Sequence, residues 1–102
     1  MRLVAAIVSL VVSPTVVHPG GAVRVTGNAD GCPRGDTVLI LSRAFSSRTG
    51  FAGVPALRAR VRAGGAFATT GRIRVHAARG RYGVTARCGG GNLGVEAHVT
   101  VR

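Results

Sequence analysis

Arginine is the residue type in this chain with the greatest potential for chemistry. The 102 residues include 14 arginines and only three acidic residues, and the formal net charge is +11. Guanidinium groups bind phosphate and carboxylate oxygens through paired N–H donors, and a strong positive field attracts nucleic acid, anionic lipid or another acidic polymer. A GC-rich genome would also favour arginine over lysine, but it explains the shortage of acidic residues poorly. Composition therefore leaves two explanations open, a polyanionic partner and genome bias.

Six of the arginines alternate with apolar residues in three segments that have the two-residue period of a β-strand. They are Arg24, Arg58, Arg60, Arg62, Arg72 and Arg74. If the three strands are neighbours in one sheet, the six side chains cover a single outer face, which is predicted to bind an anionic polymer such as nucleic acid, a wall phosphate polymer or phospholipid head groups. The alternative is a solvated face whose arginines splay apart and cover the core with their alkyl stems.

The two cysteines, Cys32 and Cys88, allow three chemistries. A disulfide would close a loop of roughly 55 residues and stabilise the fold by about 4 kcal/mol in the loop-entropy treatment. Metal ligation is disfavoured because neither cysteine has a Cys or His neighbour at ligand spacing. A reactive thiol at Cys88, with its pKa lowered by Arg87, is the remaining alternative. We predict the disulfide, and with it an oxidising compartment.

The histidines and acidic residues form no catalytic motif in the sequence. His18, His76 and His98 are far apart, and isolated histidines of this kind are more often turn or surface residues than ligands. Glu96 and His98 share one face of a predicted strand, as an acid–base pair would, but no nucleophile accompanies them. We therefore expect a protein that is not an enzyme, with no catalytic residues, no metal, no cofactor and no small-molecule substrate.

The length is sufficient for one domain with a single core. Residues 1–9 combine a charged start with an apolar run and are interpreted as a hydrophobic lead, either the remnant of an export signal or a run into the first strand. The segment lacks a small-residue cleavage site and is too short to span a bilayer. The domain itself is predicted to occupy residues 10–102.

Period-two alternation recurs along residues 10–102, and helical periodicity is almost absent. This pattern predicts an antiparallel β-sandwich of about seven strands. The predicted strands are Leu10 to Ser13, Ala22 to Thr26, Thr37 to Ser42, Ala56 to Arg62, Ala66 to Val75, Arg81 to Cys88 and Leu93 to Val101. An alternative continues the first strand through Val16-Val17 after the interruption at Pro14. Residues 43–55 are predicted to form a connection with at most a short edge strand. Ala63-Gly64-Gly65 predicts a hairpin between its two flanking strands.

Alternation on these strands also predicts which side chains form the core. The predicted core residues are Val23, Val25, Val38, Ile40, Leu57, Val61, Phe67, Ile73, Val75, Tyr82, Val84, Val95 and Val99. Tyr82 is expected to place its hydroxyl on a loop carbonyl, as the corner tyrosine of many β-sandwiches does.

Four motifs in the sequence carry a family resemblance. They are Val12-Ser13-Pro14 with His18-Pro19-Gly20-Gly21, Gly31-Cys32-Pro33, Gly64-Gly65-Ala66-Phe67, and Gly80-Arg81-Tyr82 with Cys88 six residues after the tyrosine. With these motifs, residues 10–102 resemble the bacterial immunoglobulin-like domains of exported and cell-wall-associated actinobacterial proteins. The high arginine content departs from that pattern.

The resemblance implies an immunoglobulin-like β-sandwich with a bridge between Cys32 and Cys88. It also implies a secreted or cell-envelope-associated protein that acts as a non-enzymatic structural or interaction module. The partner is left open between a cell-envelope protein and an anionic polymer. The alternative function is a basic binding module that holds an anionic polymer through its arginine-rich sheet face. Because such sandwiches host many unrelated roles, the fold by itself does not choose between these two functions.

Overall fold

The computed structural model describes residues 8–89 and 91–102, which form two β-sheets and one short 3₁₀ turn, Ala63–Gly65. The strands are β1 (Val8–Ser13), β2 (Val16–Val17), β3 (Ala22–Ala29), β4 (Thr37–Leu41), β5 (Phe45–Ser46), β6 (Gly50–Phe51), β7 (Val54–Arg60), β8 (Ala66–Ile73), β9 (Gly80–Cys88) and β10 (Gly91–Val101). The all-β class is therefore confirmed. The expected number of about seven strands is wrong, because β2, β5 and β6 are only two residues long and such short strands carry no periodicity.

Two sheets enclose the core. One has four strands in the order β1-β3-β8-β5, and the other has six in the order β2-β10-β9-β4-β7-β6. All pairs are antiparallel except β2 with β10, which is parallel. The chain changes sheets between β1 and β2, at a cis peptide bond between Ser13 and Pro14. Two stacked sheets with an apolar interior make a sandwich-like architecture.

The predicted hairpin between β7 and β8 is wrong, because these strands belong to different sheets. The 3₁₀ turn Ala63–Gly65 instead carries the chain from the six-stranded to the four-stranded sheet. Gly64 and Gly65 have φ values of 78° and 87° there, a region in which glycine is favoured. Asn28 ties the turn to β3, since its Nδ2 donates a 3.0 Å hydrogen bond to the Gly64 carbonyl.

Alternation explains most of the core. Ten of the 13 predicted core side chains are buried, and Tyr82 and Val95 are partly buried against them. Val75 is the exception: its side chain is 69% exposed, because β8 ends at Ile73 and the chain turns where Ala77 N donates to Arg74 O. Phe45, on the short strand β5, is fully buried and is among the largest core side chains.

The disulfide is confirmed: Cys32 and Cys88 are bonded to each other, with their Cα atoms 6.3 Å apart. Cys32 lies in the turn that follows β3, and Cys88 ends β9. The bond therefore connects an end of the four-stranded sheet to a central strand of the six-stranded sheet.

The tyrosine prediction is also confirmed, since the Tyr82 hydroxyl donates a 2.6 Å hydrogen bond to the Ala78 carbonyl. Of the predicted lead, Val8 and Ser9 belong to β1, and residues 1–7 lie outside the described residues. No helix in residues 8–89 and 91–102 is long and apolar enough to cross a membrane.

Candidate anion-binding surface

The six arginines predicted to share one face are divided between the two sheets. Arg24 and Arg72 lie on β3 and β8 of the four-stranded sheet, and Arg58 and Arg60 lie on β7 of the six-stranded sheet. The remaining two, Arg62 and Arg74, follow the ends of β7 and β8. All six are exposed, as alternation predicts. The expectation that their three strands are neighbours is wrong, because the chain crosses between the sheets at Ala63–Gly65.

The outer face of the four-stranded sheet carries little charge. Its two strand arginines face neutral neighbours, because Arg24 is opposite Thr70 and Arg72 is opposite Ala22. Arg72 also donates a hydrogen bond of 3.1 Å from Nη1 to the Gly20 carbonyl. Other outward positions on this face are small or uncharged, such as Ser9, Val11, Thr26, Asn28 and Ala68.

Four strand arginines share the outer face of the six-stranded sheet: Arg58, Arg60, Arg81 and Arg87. The register aligns Arg58 on β7 and Arg87 on β9 with the same residue of β4, Leu39, which lies between them. Adjacent strands are about 4.8 Å apart, so the two backbones are separated by roughly 10 Å. Two guanidinium groups therefore flank one partly buried leucine in a straight row across the sheet.

An aromatic ring covers one end of that row. The guanidinium carbon of Arg87 lies 4.4 Å from the centroid of the Phe51 ring, a cation–π contact. Phe51 reaches this position on the β6–β7 hairpin, whose turn residues Ala52 and Gly53 both have positive φ, as a two-residue turn of type I′ requires. Two side-chain hydrogen bonds to the Ala56 carbonyl, one from Ser47 Oγ and one from Thr49 Oγ1, close the base of this hairpin.

A pocket of about 250 Å³ opens beside the ring. Its lining consists of Thr37, Leu39, Phe51, Arg58, Arg87 and Gly89. Phe51 remains 38% exposed, so the pocket offers a partly open aromatic ring, an apolar floor and two guanidinium groups. From the sequence, Arg87 is considered as a neighbour of Cys88 and is not assigned to the anion-binding face, because alternation does not reveal which residue lies across the sheet.

Three more arginines extend this cationic surface along β7. Arg34, Arg60 and Arg62 line a shallow groove of about 710 Å³. Backbone hydrogen bonds hold its two walls together, from Gly35 N to Val61 O and from Val61 N to Asp36 O. Arg58 and Arg60 are successive outward residues of β7 and so lie about 7 Å apart along the strand.

We call this set the arginine track, and it comprises Arg34, Arg58, Arg60, Arg62 and Arg87. Asp36 is the acidic residue that lies between Arg34 and Arg62 in the sequence. The five arginines give this surface a positive potential, which attracts anions from solution.

A further cleft, of about 390 Å³, lies on the same sheet toward the other end of β9. It contains two arginines, Arg43 and Arg81, together with Glu96. Glu96 contacts His98, with Oε1 and Nε2 3.9 Å apart, and these two side chains are 57% and 38% exposed respectively. Gly83 leaves room for Glu96 to cross β9, because a Cβ at residue 83 would lie 2.7 Å from the Glu96 carboxylate oxygen.

The disulfide also bears on the metal-binding alternative. Cys32, Asp36 and Cys88 bring potential ligand atoms within 4.8 Å of one another. Both sulfur atoms are bonded to each other, so neither is a thiolate that could ligate a metal.

No family model matches the chain, and no curated protein matches it. Among solved structures, the chain is similar to the alkylpurine DNA glycosylase AlkC of Pseudomonas fluorescens bound to DNA containing an abasic site analogue. The TM-score is 0.61 and the sequence identity is 19%, and the match covers 95% of this chain but 30% of that chain. Since the chain spans less than a third of the length of the glycosylase, and identity is this low, the similarity is one of fold.

Proposed function

We propose that the protein is an exported, non-enzymatic interaction module of immunoglobulin-like architecture that works at the cell envelope. The disulfide between Cys32 and Cys88 carries this proposal. Such bonds persist in oxidising compartments and are rare in the cytosol of most organisms. The bond is thus consistent with an extracellular location. A sandwich of this size, with a core built mainly from valine and alanine, is also the kind of small domain that benefits from a cross-link.

The strand order supports the immunoglobulin-like assignment. In that fold, one sheet has the order A-B-E-D and the other contains the neighbours G-F-C, extended by further strands in variable-type domains. In space, the orders β1-β3-β8-β5 and β10-β9-β4 resemble A-B-E-D and G-F-C, and β2, β6 and β7 are additional strands of the larger sheet. In the chain, β5 precedes β7, so the connection between the two sheets there differs from that of a variable-type domain. Two further features agree with this assignment, if β9 is taken as strand F. The disulfide links Cys32, in the turn after β3, to Cys88 on β9. Tyr82, near the start of β9, donates a hydrogen bond to the upstream carbonyl of Ala78.

The non-enzymatic part of the proposal is supported by the exposure of the titratable pair. Acid–base chemistry at Glu96 and His98 would require a reacting group positioned within hydrogen-bond reach of them. Both members of the pair are well solvated. A solvated contact of this kind on a sheet surface is typical of side chains without a catalytic role.

The test of export is the redox state and location of the protein in its own cells. Fractions are treated with a thiol-alkylating reagent before and after reduction, and the mass of the protein is measured. We expect the envelope or secreted fraction to contain the protein, with two alkylated cysteines only after reduction. Protein found in the cytosolic fraction with two free thiols would contradict the proposal.

A second candidate function is binding of an anionic polymer, and the charge distribution favours it. The chain has 14 arginines and three acidic residues, and five of these arginines form the track on one side of the six-stranded sheet. Repulsion among them is relieved when an anion lies between them. The glycosylase with a similar fold was solved with DNA bound; that is a property of the glycosylase, and it makes DNA a useful first probe here.

Polymer binding is tested by fluorescence anisotropy with labelled DNA and with inorganic polyphosphate over a series of salt concentrations. If the function is correct, affinity falls steeply with salt, because each neutralised phosphate releases condensed counterions. Absence of binding to every polyanion at physiological salt would contradict this second function and leave the export proposal unaffected.

A further inference from the structure

We infer that the arginine track binds a single strand of nucleic acid, with one base stacked in the pocket beside Phe51 and Arg87. This inference rests on the polymer-binding function proposed above and specifies its ligand. The carrying observation is that arginines line two cavities on this surface, joined by the successive outward residues Arg58 and Arg60 of β7, and that a partly exposed aromatic ring lies at one of these cavities. Proteins that hold single strands combine these two elements, a positive groove for the backbone and a flat side chain for the bases.

The track has the layout that a polymer backbone requires. Arg87 and Arg58 lie in one row across the sheet with Leu39 between them. From Arg58 the charges continue along β7 through Arg60 to the groove that Arg34 and Arg62 line. An anionic chain that follows β7 therefore meets a guanidinium group at each step, and phosphate contacts of this kind set position without reading sequence.

The pocket beside Phe51 distinguishes nucleic acid from other polyanions. Its lining includes the ring of Phe51, the side chain of Leu39 and the planar guanidinium groups of Arg58 and Arg87. A base is a flat aromatic ring whose faces stack on aromatic and guanidinium planes. Polyphosphate and wall phosphate polymers have no such ring and would leave the pocket unused. In a duplex the bases are stacked on one another, so only a single strand offers a base to this pocket.

An acidic protein fits the same surface less well. Stable protein interfaces have a contiguous apolar centre. Among the described residues, the large exposed apolar side chains other than Phe51 are Val11, Val16 and Val75. They lie on β1, on β2 and in the loop after β8, so they are dispersed around the molecule and do not extend the apolar surface of the pocket.

The experiment measures binding of the whole protein to a short oligothymidylate, to a DNA duplex and to polyphosphate by fluorescence anisotropy and competition. Oligothymidylate is expected to bind more tightly than the other two at equal phosphate concentration. Phe51→Leu removes the ring while keeping an apolar side chain, and it should weaken oligothymidylate binding by about 5- to 150-fold, the range expected for one stacked base. Polyphosphate binding should be unchanged, and Phe51→Tyr should restore the affinity for oligothymidylate.

The track is tested with two charge-matched double variants. Arg58→Gln with Arg60→Gln should lower the slope of log K against log salt by about 1.4, since each contact to a single strand contributes about 0.7. The control, Arg24→Gln with Arg79→Gln, removes the same charge from exposed positions outside the track and should leave that slope nearly unchanged. Circular dichroism and thermal unfolding establish that each variant is folded.

Each alternative outcome identifies what is wrong. If Phe51→Leu leaves oligothymidylate binding unchanged, or if duplex DNA or polyphosphate binds equally well, the single-strand inference is overturned while polymer binding stands. Equal slopes of log K against log salt for the two double variants would mean that net charge alone attracts the polymer. That result would contradict a binding role specific to the arginine track. If no polyanion binds, the polymer-binding function itself fails.

Discussion

The hydroxyl of Tyr82 lies 2.6 Å from the carbonyl oxygen of Ala78 and donates a hydrogen bond to it. This bond joins strand β9 to the loop that leads into it from the four-stranded sheet. Tyr82 also packs its partly buried ring against the core. One side chain thus connects the crossover between the sheets to the apolar interior, and it does so at the strand that carries Arg81 and Arg87.

Tyr82→Phe tests this contact. The variant keeps the ring and removes the hydroxyl, so we expect the free energy of unfolding to fall by about 1 kcal/mol, the usual net contribution of one hydrogen bond. Urea unfolding should show a lower midpoint with the same slope, because the surface exposed on unfolding is unchanged. An unchanged midpoint would mean that the hydroxyl is equally well satisfied by water.

Reduction of the disulfide should lower stability considerably. The loop between Cys32 and Cys88 spans 56 residues, for which the loop-entropy treatment gives about 4 kcal/mol. We expect the double variant Cys32→Ala, Cys88→Ala and the wild type in reducing agent to unfold at similarly lowered urea concentrations. The double variant in reducing agent is the control and should show no further loss. Wild-type stability that is insensitive to reductant would contradict a structural role for the bond.

The two glycines of the crossover turn should differ in their tolerance of a side chain. Both have positive φ, which costs a non-glycine residue about 1–2 kcal/mol. A Cβ on Gly65 would in addition lie 2.8 Å from Asn28 Oδ1 and 3.0 Å from Asp30 N, whereas a Cβ on Gly64 would meet nothing within 4 Å. Gly65→Ala should therefore destabilise the protein more than Gly64→Ala in thermal unfolding. Equal losses would show that backbone conformation alone matters.

The position at which β8 ends is tested by comparing alanine substitutions at two apolar residues that are two positions apart. Ile73 is 1% exposed and Val75 is 69% exposed. Ile73→Ala should cost about 2–5 kcal/mol, as truncation of a buried isoleucine does, while Val75→Ala should change stability by less than about 0.5 kcal/mol. If Val75→Ala proves as costly as Ile73→Ala, β8 continues beyond Ile73 and Val75 belongs to the core.

The sequence alone determined the local features of this protein. Alternation between buried and exposed residues, as at Val23, Arg24 and Val25, identified the class as all-β and placed the arginines outward. It also predicted the pairing of Cys32 with Cys88 and the bond of Tyr82. The class and the outward arginines follow from a period of two residues, which each strand carries within itself. The cysteine pairing follows from the presence of two cysteines in the sequence, and the tyrosine bond was expected by analogy with the corner tyrosine of β-sandwiches.

Only the tertiary structure decided which strands are neighbours. A Gly64-Gly65 pair suits a hairpin and a crossover between sheets equally well, and the crossover separated Arg24 and Arg72 from the arginines of β7. The contact of Phe51 with Arg87 joins residues 36 positions apart in the numbering, and it depends on the way the β6–β7 hairpin approaches β9. Strand order is determined by side chains that contact one another across the whole core. The alternation of residues within one strand does not predict which strand lies next to it.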